Sequence, residues 1–259
     1  MFYSFFKNLL EFRLVFSQLV HQYVSLRYRR TALGFLWTLV NPLLTMAVTS
    51  VVFSMMMRFP LKGFAVFLFS GMIPWMLFSN CLLQGGQTLI ENEALIKKIY
   101  VPRQTLILAR CTSLLIDAML SFASLFLIAL VIGAHFTSAL LVLPLAFLLT
   151  FLFACGMALI SAVASVFLRD TQLILGIVMQ AGYYLTPIIY PKSIVPERFQ
   201  WLLQLNPMYH FVELFRYPIY EGMFPSFQPL AITTVLAVVS ACAGLFVFTR
   251  YDKEVIFRL

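Results

Sequence analysis

Side chains able to make or break covalent bonds are sparse in this chain and stand in no pattern that catalysis needs. The three histidines, His21, His135 and His210, lie far apart and pair with no carboxylate at ligand spacing. There is no His-Glu-x-x-His, no Gly-x-Ser-x-Gly and no Gly-x-x-x-x-Gly-Lys-Ser/Thr loop, so metal-assisted hydrolysis, acyl transfer and nucleotide hydrolysis each lack their residues. The four cysteines, Cys81, Cys111, Cys155 and Cys242, fall one per apolar span, which suits neither a disulfide framework nor a metal knuckle and reads as plain core. Only Glu213 and Arg216, one turn apart near His210, resemble a constellation, and an ion pair on a helix surface explains them more simply. Asp117 follows Arg110 by two helical turns on roughly one face. An acid so deep in an apolar stretch is a functional candidate, but with no second intramembrane carboxylate to form a relay it reads equally as a structural partner of another helix. No catalytic residue and no metal ligand is assigned.

The chain must therefore act through surfaces. With 62% hydrophobic and 11% charged residues, 27 of them Phe on the apolar side, there is too little polar surface to cover a soluble globule of 259 residues. Segments 32–57, 64–90, 118–168, 171–191 and 222–249 contain no Asp, Glu, Lys or Arg, and about 20 apolar residues suffice to cross a bilayer. The third is too long for one span and breaks at Gly133-Ala134-His135-Phe136-Thr137-Ser138. The expectation is one all-α integral membrane domain over 1–259, with spans at 32–57, 64–84, 109–132, 139–167, 172–191 and 229–249. The net charge of +8 forms no free basic face for nucleic acid; it lies in loops beside spans. Lys7, Arg13, Arg27, Arg29, Arg30, Lys97, Lys98, Arg103, Arg110, Arg169, Arg250, Lys253 and Arg258 fall on one side and Arg58, Lys62, Lys192, Arg198 and Arg216 on the other. By the positive-inside rule both termini are cytoplasmic. No cleavable signal is expected, because Lys7, Glu11 and Arg13 interrupt the first apolar positions.

Elements outside the spans would carry the contacts. Over residues 1–31, Phe12, Val15, Phe16, Leu19, Val20 and Tyr23 recur at helical spacing opposite Glu11, Gln18, Gln22 and Ser25, so an amphipathic helix should lie in the interface, as an anchor or against a partner. Between spans two and three, Glu93 and Lys97 form an i, i+4 pair on a short helix whose ridge, Leu95, Ile96 and Ile99, is stopped by Pro102. No soluble groove in this chain is expected to receive that ridge, so a second protein should. Arg169-Asp170 make a tight turn between spans four and five. Residues 192–221 are too short to span; Asn206 stands as an N-cap with Pro207 at the first helical position, which fits short re-entrant helices on the outer side.

Taken in order, these motifs resemble the membrane subunits of type 2 ABC exporters, and within them the permeases that export O-antigen, capsular or teichoic polysaccharides. The matching pieces are Arg27-Tyr28, Thr31, Leu33-Gly34 and Trp37 leading into Pro42; Gly71, Pro74-Trp75 and Phe78; Leu95-Ile96-Lys97-Lys98 with Pro102-Arg103; Phe167 and Arg169-Asp170; Thr186-Pro187 and Tyr190-Pro191; and Asn206-Pro207. Relatives often carry another proline soon after the Pro-Arg pair, whereas Thr105-Leu106-Ile107-Leu108 runs without one, which bears only on where the third span starts. The resemblance implies a homodimer in a bacterial cytoplasmic (inner) membrane, with two copies of a separate ATP-binding subunit beneath it. ATP and magnesium would bind there, leaving this chain without a cofactor and without enzyme activity of its own. It also implies that Glu93, Leu95, Ile96, Lys97, Lys98, Ile99, Pro102 and Arg103, with Arg169 and Asp170, couple to that subunit, and that the N-terminal helix ending in Arg27, Tyr28, Arg29 and Arg30 sits on it as a cuff. The substrate would be a polysaccharide, undecorated or lipid-linked, threaded between protomers past Trp37, Trp75, Tyr183, Tyr184 and Tyr190, whose faces hold sugar rings through apolar CH contacts; interfacial aromatic belts explain each of these equally. Asn206 and Pro207 would belong to an outer gate. The alternatives are an exporter of a small lipid or drug and, from another class, a membrane glycan-processing enzyme, which would need a polar catalytic cluster not found here.

The topology is open to a direct check. Single cysteines at Ser4 and Lys253 are expected to resist a membrane-impermeant thiol reagent in intact cells while one at Lys192 reacts; labelling of either terminus from outside sinks the inside-inside arrangement.

Overall fold

The structure is a computed structural model describing residues 7, 9–28, 31, 33–57, 61–132 and 137–259, and among these there is helix and no strand. In chain order the helices are α1 (Arg13–Tyr28), α2 (Trp37–Met57), α3 (Leu61–Asn80), a π-helical turn (Cys81–Gly85), α4 (Gly86–Glu91), α5 (Glu93–Lys98), α6 (Arg103–Ile132), α7 (Leu143–Phe167), α8 (Thr171–Leu185), α9 (Gln200–Leu205), α10 (Pro207–Arg216) and α11 (Phe227–Arg258). The chain is an all-α membrane protein. Among the described residues five stretches are long and apolar enough to cross a bilayer: Leu39–Met56, Gly63–Glu91, Arg103–Ser124, Ser138–Phe167 and Phe227–Arg258. The remaining expected span, 172–191, is helical only as the 15 residues of α8, roughly 22 Å at the helical rise, because Thr186 and Pro187 end it. The expected break at Gly133 to Phe136 lies outside the described residues.

Helix limits depart from expectation where apolarity alone set them. The second span does not stop near residue 84 but continues through the π-turn into α4, and the third begins at Arg103, straight after Pro102. The last helix runs on to Arg258, so the basic tail is helical too. Pro42 and Pro74 both sit inside helices, as neighbouring segments in a membrane bundle permit.

At the centre of the bundle lies α10, the short helix after Asn206. Eight of its ten residues are buried, and it packs against α3, α7 and α11. Its phenylalanines join a ladder of rings: Phe211 stacks on Phe153 at 4.8 Å, Phe153 on Phe78 at 5.2 Å, and Phe215 meets Phe147 edge-on at 4.9 Å. Offset and edge-on pairs of this kind add to what area burial alone contributes.

The most extensive helix pair is α7 with α11, and small residues set its distance. A Cβ on Gly156 would stand 2.3 Å from the Ser240 carbonyl oxygen, and one on Gly244 would stand 2.3 Å from that of Gly156. The Ser240 hydroxyl donates to the Phe153 carbonyl at 2.9 Å across the same seam. Lipid tails are as apolar as leucine, so close backbone approach and interhelical hydrogen bonds must supply what water exclusion supplies in a soluble core. Gly156→Val is expected to force the pair apart at a cost of about 1–3 kcal/mol, lowering the melting temperature in detergent, whereas Gly176→Val, with nothing within 4 Å, is expected to leave it unchanged; equal melting of the two variants would refute the seam.

Candidate functional site

Two polar assemblies stand at opposite ends of the bundle. On the side expected to be cytoplasmic, α5 is a single exposed turn and a half. Lys97 Nζ meets Glu93 Oε1 at 2.5 Å, the pairing expected from spacing, and that ammonium, with Arg169 at longer range, holds the Glu93 carboxyl below its ordinary range. The ridge behaves differently from expectation. Leu95 and Ile96 are half-buried against a small core made by Leu19 and Tyr23 of α1 with Val101, Leu106 and Ala109. The chain itself thus supplies the groove, because the amphipathic α1 lays its apolar face along α6. Ile99, 54% exposed, and Tyr100, 77% exposed, stay outside that core.

Polar contacts fix this loop. Asn92 Nδ2 donates to the Tyr23 hydroxyl at 3.2 Å, while the Arg110 guanidinium lies over the Tyr23 ring at 4.9 Å and reaches Glu91 at 4.0 Å. Burial pushes the Tyr23 phenol up, so it stays protonated as a hydrogen-bonding group. Pro102 is buried, and Arg103 forks onto Asp252 of α11, with Nε and Nη2 donating to the two carboxylate oxygens at 2.7 and 2.6 Å. Lys97 also donates to the Leu259 carbonyl at 3.0 Å. The turn at Arg169 and Asp170 is exposed; beside it Phe167 packs edge-on to Tyr251 and lies under Arg258 at 4.3 Å. The end of α11 therefore joins α5 and the α7–α8 turn, a contact that the sequence reading missed by treating that tail only as a topology signal. An acid, Asp252, between Arg250 and Lys253 was the available clue. The side chains of Arg27 and Tyr28, and Arg29 and Arg30 altogether, lie outside the described residues.

At the opposite end Asn206 does cap α10: its Oδ1 accepts from the Met208 N–H at 3.0 Å, and its Nδ2 donates to the Thr186 hydroxyl at 2.8 Å. Thr186 in turn donates to the Gly182 carbonyl, so one asparagine ties α10 to the end of α8. The expectation of a surface ion pair at Glu213 and Arg216 is overturned. Both side chains are buried, 6% and 4% exposed, with 3.7 Å between them; Arg216 donates to the carbonyls of Pro187 at 2.9 Å and Ile188 at 3.4 Å and stacks over Phe67 at 3.9 Å. The proline-bearing stretch after α8 leaves carbonyls unpaired, and they draw the guanidinium inward.

The five aromatics separate into two places. Trp75 is buried edge-on to Tyr183 at 6.0 Å, Tyr183 meets Tyr184 at 5.5 Å, and the Tyr190 hydroxyl donates to the Tyr184 carbonyl at 3.0 Å. Gly182 permits this, since a Cβ there would stand 2.8 Å from the Trp75 ring. Trp75 and Tyr190 line a largely apolar cavity of about 560 Å³ that reaches Asn206 and Pro207. Trp37 lies elsewhere, on α2, in a second cavity of about 530 Å³.

Residues 15–220 match the family described as ABC-2 type transporter. The chain is 28% identical over 250 residues, covering 96% of each sequence, to the O-antigen export system permease protein RfbA of Myxococcus xanthus. It is 25% identical over 228 residues, 88% of each, to a protein of the same name from Klebsiella pneumoniae. It is also 25% identical over 239 residues, 90% of this chain and 92% of the other, to the polysialic acid transport protein KpsM of Escherichia coli.

The Arg103–Asp252 fork can be tested apart from any activity. Arg103→Glu and Asp252→Arg are each expected to destabilise the purified chain by about 1.5–3 kcal/mol, the scale of a charged hydrogen bond, and to free α11 for proteolysis at its end, while the two together restore protection. Failure of the double variant to recover would mean the fork contributes no specific contact.

Proposed function

The chain belongs to the ABC-2 type transporter family, and from that premise we propose that it is the membrane subunit of an exporter moving a polysaccharide of O-antigen or capsular type across a bacterial cytoplasmic membrane. The observation that carries this reading is a multi-pass apolar bundle without a nucleotide-binding motif, whose relatives over nearly the whole length are named for polysaccharide export and transport. Such a chain needs work from outside itself, and a family of this kind implies an ATP-binding partner. ATP and magnesium belong to that partner in this reading, and the chain is a permease rather than an enzyme.

Both termini face the cytoplasm, which puts α5, the Arg169-Asp170 turn and the end of α11 where an ATP-binding subunit reaches them. Leu95 and Ile96 then anchor α5 to the chain's own α1 and α6, and Ile99, Tyr100, Lys97 and Lys98 form the face offered to the partner. In a homodimer, α8, which has no buried residue and exposes Leu173, Ile174, Ile177 and Leu185, would be the face set against the second copy. A glycan, free or lipid-linked, would pass between the two copies. The Asn206–Thr186 tie and the buried Arg216 hold the re-entrant α10 across the outer end, where displacing it would open the path.

The experiment compares two pairs of substitutions in cells lacking the native exporter. Ile99→Ser with Tyr100→Ser is expected to leave the chain inserted while ATP-binding subunit recovered with it falls at least tenfold, matching a loss of about 1.4 kcal/mol or more of apolar contact, and surface polysaccharide disappears. Lys97→Gln with Lys98→Gln is expected to do less, because exposed ion pairs contribute little. Normal export and association in the double serine variant would remove α5 from the coupling role and leave the Arg169-Asp170 turn or α1 to carry it.

A further inference from the structure

We infer that the cavity between α2, α3 and α6 is a saccharide-binding site within a single protomer, taking the hydroxyl-rich head of an amphiphile. Its volume of about 530 Å³ lies within the roughly 300–1,000 Å³ of small-molecule sites. Trp37, Asn41, Asn80, Gln84, Asp117 and Ser121 line it together with apolar side chains that include Met72 and Leu114. Polar side chains are expensive at membrane depth and mark substrate paths, and five of the residues named here, Asn41, Asn80, Gln84, Asp117 and Ser121, bring polar groups to one space beside the Trp37 indole.

The backbone is altered to make this lining. The π-turn Cys81–Gly85 interrupts the second span; Asn80 precedes it, Gln84 lies within it, and both line the cavity. Gln84 Nε2 donates to Asn80 Oδ1 at 3.1 Å, which orients the two amides together and leaves Asn80 a donor and Gln84 an acceptor for a ligand. Single-turn π insertions inside α-helices occur frequently at functional sites.

The chemistry selects the ligand class. Carboxamides give and take hydrogen bonds, a carboxylate accepts them, and an indole face receives apolar CH groups; together they suit vicinal hydroxyls on a ring. A phosphate would call for Lys or Arg, and none lines the cavity among the described residues. A metal ion would call for a cluster of His, Cys, Asp or Glu, and none exists among them either. An acyl tail alone would leave the amides facing hydrocarbon at a desolvation cost. The identity of the natural amphiphile rests on the export reading above, but the site's preference for a sugar head does not.

The test uses the full chain with its ATP-binding partner in nanodiscs and a short-chain alkyl maltoside below its micelle concentration, set against an alkyl phosphocholine of the same chain length. The expected result is a saturable change in tryptophan emission with the maltoside only, abolished by Trp37→Phe and shifted to about tenfold weaker binding by Asn80→Leu with Gln84→Leu, on the scale of lost hydrogen bonds to a ligand. Should that pair fail to fold, Asn41→Leu on the exposed side of α2 is the second variant, with the same shift expected. An equal response to both amphiphiles makes the cavity an apolar cleft and overturns the inference, as does the absence of a saturable response. Selective sugar binding by a chain that supports no polysaccharide export would keep this site while sinking the export reading.

Discussion

A carbonyl that leaves its helix inside a hydrocarbon layer has no water to bond, so some other part of the protein must bring it a donor. Arg216 does this for Pro187 and Ile188, and much of the structure is arranged so that it can. The ten-residue α10 must lie in the middle of the bundle to carry the guanidinium there, which is why its residues are buried although it is too short to span. Gly71 on α3 must lack a side chain, since a Cβ would stand 3.0 Å from Arg216 Nη2 and 3.3 Å from Ile188. Phe67, one turn earlier on the same face, presents its ring to the cation, and Glu213 supplies the counter-charge while reaching Lys192 at 3.5 Å. A buried charge held by an acid, two carbonyls and a ring has a partner for most of its donors, its Nε having no hydrogen-bond partner among the described residues; removing Glu213 would leave it without its counter-charge, a far larger penalty than the pair's own net contribution.

The same constraint accounts for the two ends of the bundle being unlike. At the end that holds α10, broken backbone is closed by side chains: Asn206 caps α10 and ties Thr186, and Tyr190 closes onto the Tyr184 carbonyl. At the end that holds α5, the loop elements stay helical and exposed, fixed by a few charged contacts to α11.

How much of this was legible depends on what each signal encodes. Apolar run length gave the all-α membrane class, the positions of most long apolar helices and the existence of the short helices between the last two of the expected spans. Local chemistry also sufficed where the partners are near in sequence: the Asn206 cap with Pro207, the Glu93–Lys97 pair, and the tight turn at Arg169 and Asp170 all form from neighbours within a turn or two. The ordered motifs carried the family, since each is a short segment whose residues are read in place.

Contacts between residues far apart in sequence could not be read. Nothing local says that Leu95 and Ile96 fall against Leu19 and Tyr23, that Arg103 forks onto Asp252 some 149 positions away, or that Glu213 and Arg216 are buried rather than on a surface. An i, i+3 charge pair looks the same on a wet face and in a core; burial is decided by which helices close around it. The π-turn at Cys81–Gly85 is equally silent in sequence, because Gly85 weakens a helix without specifying how it widens, and packing against α7 and α6 selects the wider turn. Helix periodicity and apolar length belong to the chain, whereas the meeting of Trp37 with Asn80, Gln84 and Asp117, and of Arg216 with the Pro187 and Ile188 carbonyls, is a property of three-dimensional closure, in which each helix is placed by the polar groups its neighbours cannot leave unpaired.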